Sequence, residues 1–307
     1  MPFVAKKVVV QTPTKLFLVL MREFEITQKE AQRMIDTKKV FQKGKLIKDK
    51  AAVVQGELEI IHFQPKPQGL KPIFEAKDFL LYDKPSGIMV HPRNRKSEYT
   101  LIDELKSVYG MGANIVHRID KETSGLILAA KHKEAERELK RLFETKKIQK
   151  KYLALVSGEL KEEILIDAPI AINRDLSKIK LKMRICPTGK PAQTIVRPLY
   201  HLGPYTLVEA IPLTGRQHQI RLHLFHIHHP IVGDPIYGRS SEDAIRYLDK
   251  KMDTKERIQK TGAPRLMLHA YSLEFSYKTA HYRLLSHYDF LRECRQLIDK
   301  KYKANRR

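Results

Sequence analysis

The spacing of apolar residues predicts two short helices near the start of the chain. Residues Lys15 to Arg22 form a mostly apolar stretch, and residues Gln28 to Asp36 carry apolar side chains at the helical period. Thr27 stands just before the second segment, and Glu30 follows three residues after it. This pair is typical of a capping box, so we expect the second helix to begin after Thr27.

Short apolar segments that predict strands follow these two helices. They are Val40-Phe41, Leu46-Ile47 and Leu58 to Phe63, with a turn at Lys43-Gly44 between the first two. Prolines and a glycine then interrupt any periodic pattern over residues 64–69. The pattern therefore predicts a small N-terminal α/β domain over residues 1–64 and a linker over residues 65–71.

Strand-like segments outnumber helical ones in the rest of the chain. Apolar runs and alternating patterns predict strands, while amphipathic spacing predicts helices at Leu101 to Val108, Lys133 to Lys146 and Phe290 to Ile298. Many strands with few helices and no regular βαβ repeat indicate an α+β domain with a mixed, mostly antiparallel sheet. The predicted strands are Phe79–Tyr82, Gly125–Ala130, Tyr152–Val156, Ile179–Ile185, Thr194–Leu199, Thr206–Ile211 and Leu266–Phe275.

Length and composition indicate one large domain beside the small one. The chain has 307 residues, of which 42% are hydrophobic, enough for a packed core. No apolar run approaches the roughly 20 residues that span a bilayer, and we expect no membrane association. No secretory signal is expected at the N-terminus either. The two cysteines cannot build a disulfide framework, which favours a reducing, cytoplasmic location.

Charge is the strongest global signal. The 58 lysines and arginines exceed the 35 acidic residues and give a formal charge of +23. A protein this basic repels itself unless it meets a polyanion, and nucleic acid is the natural partner. A basic surface that only favours solubility is the alternative.

Four local patterns concentrate polar residues suited to chemistry. In the pattern from His117 to Gly125, Asp120 lies between Arg118 and Lys121 and just before Thr-Ser-Gly. Neighbouring cations favour the ionised carboxylate, which suits nucleophilic work. A surface loop with an ordinary ion pair explains the same residues. The patterns span residues Asp83 to Pro92, His117 to Gly125, Lys150 to Gly158 and Pro212 to His223.

Taken in this order, the four patterns resemble the RluA family of RNA pseudouridine synthases. Residues Gly233 to Gly238 and Leu268 to Ala270 resemble later signatures of that family. The resemblance covers residues 72–280 as the catalytic domain and leaves residues 281–307 as a helix with a basic tail. The N-terminal module resembles the RNA-binding domain named after the fourth protein of the small ribosomal subunit, which the RluC-like and RluD-like members carry.

The resemblance implies an isomerase that cuts the bond between a uracil nitrogen and ribose and rejoins the base through carbon. It implies that Asp120 is the essential carboxylate, acting on the sugar carbon, on the base or on a sugar proton. Arg221 is similar to the family arginine that pairs with this aspartate. Tyr152 is similar to the tyrosine that stacks on the target base. Other roles remain open for both residues. Arg221 could contact a phosphate or be a surface charge of a helix, and Tyr152 could be a core residue of a strand.

Residues around these three are expected to bind RNA. Arg118 is similar to the family arginine that fills the stack when a uridine is flipped out, although it could simply support the charge of Asp120. Ile220 is expected to line the uracil pocket or to pack in the core. Lys84 and His91 are expected to be structural supports. The remaining predicted RNA contacts are His117, Lys121 and Arg216 near the site and Lys29, Arg33 and Lys39 in the N-terminal module.

The sequence predicts neither a cofactor nor a metal. Residues around Gly189-Lys190 lack the spacing of a phosphate loop, and no dinucleotide-binding fingerprint is present. Five histidines between His218 and His229 have no His-Glu-x-x-His spacing, so we expect them to cap, pack or touch RNA. A histidine-metal hydrolase is the weakest alternative reading.

The expected substrate is structured RNA. The N-terminal module and the basic tail favour large-subunit ribosomal RNA, with transfer RNA as the alternative. A non-catalytic RNA-binding or ribosome-assembly factor on the same fold is the competing function, and it predicts a disabled site. The family precedent favours a monomer.

Overall fold

The computed structural model describes residues 2–95, 97–173 and 182–304, and the side chains of these as far as residue 300. The chain divides into two compact units. The first comprises residues 1–68 and 91–107, and the second comprises residues 69–90 and 108–307. No helix among the described residues is both long enough and apolar enough to cross a bilayer.

The first unit is a four-stranded antiparallel sheet in the order β1-β4-β2-β3 with two helices after its first strand. The predicted capping box is confirmed: the Thr27 side chain accepts a hydrogen bond from the Glu30 N–H, and the Glu30 carboxylate accepts one from the Thr27 N–H at 2.9 Å. The elements are β1 (Phe3–Lys15), α1 (Leu16–Phe24), α2 (Gln28–Asp36), β2 (Val40–Gln42), β3 (Lys45–Leu46) and β4 (Val53–Phe63).

Strand β1 is the element of this unit that the apolar pattern did not predict. Val8 and Val10 are buried, while Val9 between them is 70% exposed, so the alternation of a half-buried strand is present. A register irregularity between Val10 and Thr14 interrupts the pairing with β4, and polar residues fill the following positions. Pairing along most of β4 stabilises β1 despite this weak local signal.

Helix α3 (Leu101–Tyr109) begins within residues 91–107 and binds the segment that was predicted as a linker. The buried carboxylate of Asp103 accepts a hydrogen bond from the Lys66 N–H at 3.0 Å, and the carboxylate of Glu104 accepts one from the Gln68 N–H. These bonds satisfy backbone groups that a proline-rich stretch cannot pair in a sheet. Where the N-terminal domain ends stays a prediction.

The second unit contains a ten-stranded sheet in the order β10-β13-β14-β9-β15-β8-β6-β5, with β16 beside β15 and β7 beside β8. Among the strands of the described residues only the β15–β8 pair is parallel, which confirms the predicted α+β fold with a mostly antiparallel sheet. The strands are β5 (Phe74–Glu75), β6 (Phe79–Lys84), β7 (Asn114–Ile115), β8 (Ser124–Ala130), β9 (Gln149–Ser157), β10 (Ile164–Asp167), β13 (Gln193–Leu202), β14 (Tyr205–Pro212), β15 (Leu268–Tyr277) and β16 (Ala280–Leu285).

Five helices and a small hairpin complete this unit as far as it is described. The hairpin pairs β11 (Ile170–Ile172) with β12 (Met183–Ile185), which is the end of the strand predicted at 179–185; the earlier residues of that prediction lie outside the described part. Of the basic tail predicted at residues 300–307, residues 300–304 continue the last helix, and residues 305–307 lie outside the described part. The helices are α4 (Lys133–Glu144), α5 (Gln219–His226), α6 (Ser241–Leu248), α7 (Thr254–Thr261) and α8 (Phe290–Ala304).

Strand register brings the predicted site together in the second unit. Gly125 of β8, Ala270 of β15, Tyr152 of β9 and Ala210 of β14 form one row of paired residues across four neighbouring strands. The loop before β8 and helix α5 after β14 flank this row. The small residues Ala210 and Ala270 therefore lie on either side of Tyr152.

Candidate active site

Asp120 lies in the loop between β7 and β8. The end of β6 and the residues that follow it bind this loop. The Lys84 ammonium, which is fully buried, donates to the carbonyl oxygens of Pro85 at 2.8 Å and Lys121 at 3.2 Å. Ser86 Oγ donates to the Glu122 carbonyl at 2.6 Å. Burial lowers the pKa of Lys84 to about 7, despite nearby carboxylates. Lys84 therefore acts as a support of the loop, as the sequence predicted.

Arg221 of α5 joins Asp120 to a second carboxylate. Its Nη1 donates to Asp120 Oδ2 at 3.0 Å, while its Nε and Nη2 donate to the two oxygens of Asp234, each at 2.8 Å. Burial disfavours the charge of Arg221, but the carboxylates of Asp234 and then Asp120 raise its pKa overall. The structure thus brings together Asp120 and Arg221, the pair that the resemblance predicted, and fixes the guanidinium from its far side.

Asp234 is a site residue that the sequence reasoning missed. Its side chain is buried, and Oδ1 also accepts hydrogen bonds from the N–H groups of Ile236 at 2.8 Å and Tyr237 at 3.0 Å. Burial raises the pKa of this carboxyl, but Arg221 and the two N–H donors lower it overall. The signal was present: the string Gly233 to Gly238 was identified as a family signature, yet no role was given to its only acid.

His218, which lies beside Asp120, is the second site residue that the sequence reasoning missed. Its Nε2 lies 3.7 Å from Asp120 Oδ2, and its Nδ1 lies 3.1 Å from the Tyr237 hydroxyl. That hydroxyl accepts a hydrogen bond from the Met183 N–H at 3.0 Å and is itself buried, so its own proton is directed to His218 Nδ1. The imidazole proton then resides on Nε2 and faces Asp120.

The environment keeps His218 neutral. Burial, and next the charge of Arg221, lowers the pKa of His218 to about 4, although Asp120 and Asp234 act in the opposite direction. Both Arg221 and His218 approach the same oxygen, Oδ2, of Asp120. Within the described residues Oδ1 of Asp120 accepts no hydrogen bond, and the Asp120 side chain is 24% exposed. One oxygen is thus anchored, and the other is available for a substrate.

Tyr152 lies on β9 beside this carboxylate. Burial, together with the negative charge of Asp120, raises the pKa of Tyr152 well above its usual range. The phenol therefore stays protonated at neutral pH and presents a hydroxyl and an aromatic face without adding a second negative charge. Asp120, Tyr152 and Arg221, the three residues predicted to be catalytic, meet in one place.

The predicted RNA-binding residues near the site have different environments. Arg118 and Lys121 are exposed on the Asp120 loop, and Arg216 is exposed with its Nε bound to the Pro191 carbonyl at 3.0 Å. Ile220 is only 7% exposed and belongs to the hydrophobic core around β9 and β14, so its side chain is mainly a packing residue.

His117 has a structural contact on each side. Its Nε2 accepts a hydrogen bond from the Leu128 N–H at 2.9 Å, and its ring stacks on Phe143 at 4.5 Å. Burial and the nearby ammonium of Lys150 lower the pKa of His117 to about 3. A neutral, engaged imidazole brings no positive charge to a phosphate, and an RNA contact by His117 stays a prediction.

The predicted RNA-binding residues of the first unit lie on or just after α2. Lys29 and Arg33 are exposed on the helix. Lys39 is half-buried, with its Nζ 5.4 Å from the centre of the Phe3 ring, and burial lowers its pKa. The three side chains offer positive charge on this unit, and their contact with RNA stays a prediction.

The dense histidine stretch does not converge on one point. His223 bonds to Thr194 Oγ1 at 2.9 Å and to the Ala168 carbonyl at 3.0 Å, while His229 bonds to the Ser157 carbonyl at 2.9 Å. In the part of the chain that the structure describes, no three His, Cys, Asp or Glu side chains are grouped to hold a metal ion. His223 and His229 thus bond to neighbouring segments of the chain, while His226 and His228 are exposed.

Comparisons with known proteins agree on one family. The family described as RNA pseudouridylate synthase matches residues 78–226. An uncharacterized RNA pseudouridine synthase of Helicobacter pylori is 40% identical over 290 residues, covering 93% of this chain and 96% of that protein. The ribosomal large subunit pseudouridine synthase D of Nitrosomonas europaea is 38% identical over 216 residues, covering 68% of this chain and 58% of that one.

A solved structure supports the same similarity. Human RNA pseudouridylate synthase domain containing 1 superimposes with a TM-score of 0.60 and 25% identity, covering 78% of this chain and 97% of that chain.

Proposed function

Because the chain belongs to the RluA family of RNA pseudouridine synthases, we propose that Asp120 is its catalytic carboxylate and that its substrate is large-subunit ribosomal RNA. The chain is an isomerase that acts on RNA. During the reaction the bond from N1 of uracil to C1′ of ribose breaks, and a bond from C5 to C1′ forms. The hydrogen on C5 leaves to solvent, and N1 takes up a proton.

The observation that carries the assignment of Asp120 is its uneven environment. Arg221 and His218 both bind or face Oδ2, and Oδ1 has no donor among the described residues. A carboxylate held in this way needs no rearrangement to present Oδ1 to a nucleotide. Oδ1 can attack C1′, attack the base or remove a sugar proton, and these three roles remain alternatives.

The neighbouring groups support the same assignment. The protonated phenol of Tyr152 offers a flat face on which a uracil can stack, between the small side chains of Ala210 and Ala270. Arg118 is exposed next to Asp120, where its guanidinium can replace the uridine in the stack or contact a phosphate. Flipping the base costs a few kcal/mol, which such contacts offset.

Two observations support ribosomal RNA as the substrate. The relative in Nitrosomonas europaea is named a ribosomal large subunit pseudouridine synthase. The charge of +23 favours a large polyanion whose phosphates engage many cations at once. Transfer RNA is the alternative substrate. A non-catalytic binding factor is disfavoured, because Arg221 binds Asp120 and the charge of Asp120 reaches Tyr152, so the three residues are neighbours.

Two measurements test the proposal. Pseudouridine mapping of ribosomal and transfer RNA from cells with and without the gene identifies the substrate; loss of sites only in transfer RNA contradicts the ribosomal assignment. Release of tritium from RNA labelled at uridine C5 measures turnover by the purified protein. We expect Asp120→Asn to abolish release while RNA binding is largely retained. Normal release by that variant would show that Asp120 is not the catalytic carboxylate.

A further inference from the structure

Lys150 carries a positive charge that nothing in the described chain neutralises. The residue is half-buried, and no carboxylate within the described residues forms an ion pair with its ammonium. The next residue, Lys151, differs: its Nζ lies 3.5 Å from Glu209 Oε1 in a polar group that includes the Tyr271 hydroxyl. Adjacent lysines of one strand are therefore in opposite electrostatic situations.

Strand geometry places Lys150 on the side of the site. Successive side chains of a strand point to opposite faces, so Lys150 and Tyr152 share one face of β9 and Lys151 occupies the other. The Lys150 Nζ lies 3.7 Å from the point where a Cβ of Gly215 would be. Gly215 precedes α5, which carries Arg221. The charge of Lys150 also affects His117, on the loop that carries Asp120. Lys150 thus lies near both the loop that carries Asp120 and the loop that precedes α5.

An unpaired ammonium in this position does not stabilise the fold. Burial disfavours its charge and lowers its pKa, and no anion among the described residues offsets the cost. A structural role would be served equally well by an uncharged side chain of similar length. Such a cost is retained at sites where a ligand supplies the missing charge.

We propose that Lys150 binds a phosphodiester group of the nucleotide strand that is presented to Asp120. The inference rests on the proposed function, since it takes RNA as the ligand. The phosphodiester is the anionic group of RNA at neutral pH, and a lysine ammonium binds it as a point charge. Gly215 has no side chain beside the ammonium, which lets a sugar–phosphate chain approach closely. Lys150 then fixes the position of the nucleotide while Tyr152, on the same face, contacts its base.

The experiment compares the two neighbouring lysines in an Asp120→Asn background, which binds RNA without converting it. The probe is a transcript of the large-subunit ribosomal RNA of the source organism, and its dissociation constant is measured over a series of salt concentrations. We expect Lys150→Gln to weaken binding and to reduce the slope of log affinity against log salt by roughly 0.7 to 0.9, the value for one phosphate contact. Lys151→Gln, with the same change of charge, should leave the slope unchanged.

Two further variants separate a phosphate contact from a packing effect. Lys150→Met keeps an unbranched apolar stem and should behave like Lys150→Gln, while Lys150→Arg should recover most of the slope because it restores the charge. Thermal unfolding of each variant checks that it is folded. An unchanged slope in folded Lys150→Gln, or equal losses for the Lys150 and Lys151 variants, would overturn the proposal. Tritium release tests the proposed function separately, by comparing the protein that has Asp120 with the Asp120→Asn variant. Normal release by the variant would contradict the assignment of Asp120 and would leave the salt slope unaffected.

Discussion

Arg221 and Asp234 form a buried bidentate ion pair, with both nitrogen–oxygen distances at 2.8 Å. The pair orients the guanidinium so that its remaining Nη1 points at Asp120. A single contact to Asp120 would leave the long arginine side chain free to rotate, whereas two parallel bonds on the far side fix its plane. Orientation of the Asp120 carboxylate therefore depends on a residue that does not touch it.

This dependence predicts that Asp234→Asn reduces both stability and turnover. Removing one partner of a buried pair leaves the other charge uncompensated, so we expect a loss of about 3–5 kcal/mol in the free energy of unfolding. Urea unfolding measures the stability, and tritium release measures turnover. The control is Glu256→Gln, which breaks a pair with Arg246 of similar length, 2.9 Å, on a more exposed surface and should change the free energy of unfolding far less. Equal effects of the two variants would contradict the role of Asp234.

His218 is expected to position Asp120 through its Nε2 proton. His218 has a left-handed backbone, with φ of 54°, so Asn is the suitable replacement because it tolerates this conformation. Asn is too short to reach Asp120, and loss of the polar contact at 3.7 Å predicts a decrease of about 2–10-fold in kcat. RNA affinity should be unchanged, since the contact is to the carboxylate.

The pH dependence and a second variant test the same prediction. The pKa of His218 is lowered to about 4, so its protonation should produce no inflection in kcat near pH 6.5. Tyr237→Phe removes the hydroxyl that directs the proton to Nε2. Its effect and that of His218→Asn should be less than additive in the double variant, whereas additive effects would indicate that the two residues act separately.

Gly125 is expected to tolerate no side chain. Its φ is +109°, and a Cβ would lie 2.2 Å from the Ala270 carbonyl oxygen, at the parallel pairing of β8 and β15. Gly125→Ala must separate the two strands next to the Asp120 loop, and we expect a loss of about 2–5 kcal/mol in the free energy of unfolding. Gly112→Ala is the matched control, because nothing lies within 4 Å of its Cβ position. A thermal shift in Gly125→Ala no larger than in the control would show that the strands separate easily.

The sequence predicted those parts of the fold that local spacing determines. Helix α2 and its cap at Thr27 follow from residues within one helical turn. Helices α6 and α7 were missed although Ser240 and Asp253 cap them. Both are short, and their apolar faces are too small to give a clear period. Strand β16 was missed for a similar reason, since most of its side chains are exposed and alternate little.

The site was predicted where a motif names a residue and missed where only three-dimensional contact does. Asp120 and Arg221 lie 101 positions apart, and the family resemblance linked them. Nothing in the local sequence tells that Asp234 binds the far side of Arg221, or that Tyr237 directs the proton of His218. Lys151 differs from Lys150 because β14, which lies beside β9, places Glu209 on the face of the sheet that Lys151 occupies. That neighbourhood follows only from the order of strands in the sheet.

His269 links β15 to two other parts of the chain. Ser286 Oγ donates to the Asp83 carboxylate, so it accepts from His269 Nε2 at 2.8 Å. Nδ1 is then without a proton and accepts from Ser124 Oγ at 2.9 Å. The imidazole is 1% exposed, and burial followed by the charge of Arg265 lowers its pKa to about 3.

This arrangement makes the protein less stable in acid in a defined window. In the unfolded chain the histidine takes up a proton as pH falls through about 6.5, while in the folded protein it does so only near pH 3. Between these values the unfolded state binds more protons, so the free energy of unfolding decreases with falling pH by about 1.4 kcal/mol per pH unit well below pH 6.5. Urea unfolding of the protein and of His269→Gln between these limits isolates the effect, because the other titrating groups are common to both. The variant should show a slope smaller by that amount, and parallel curves would mean that His269 is charged in the folded protein.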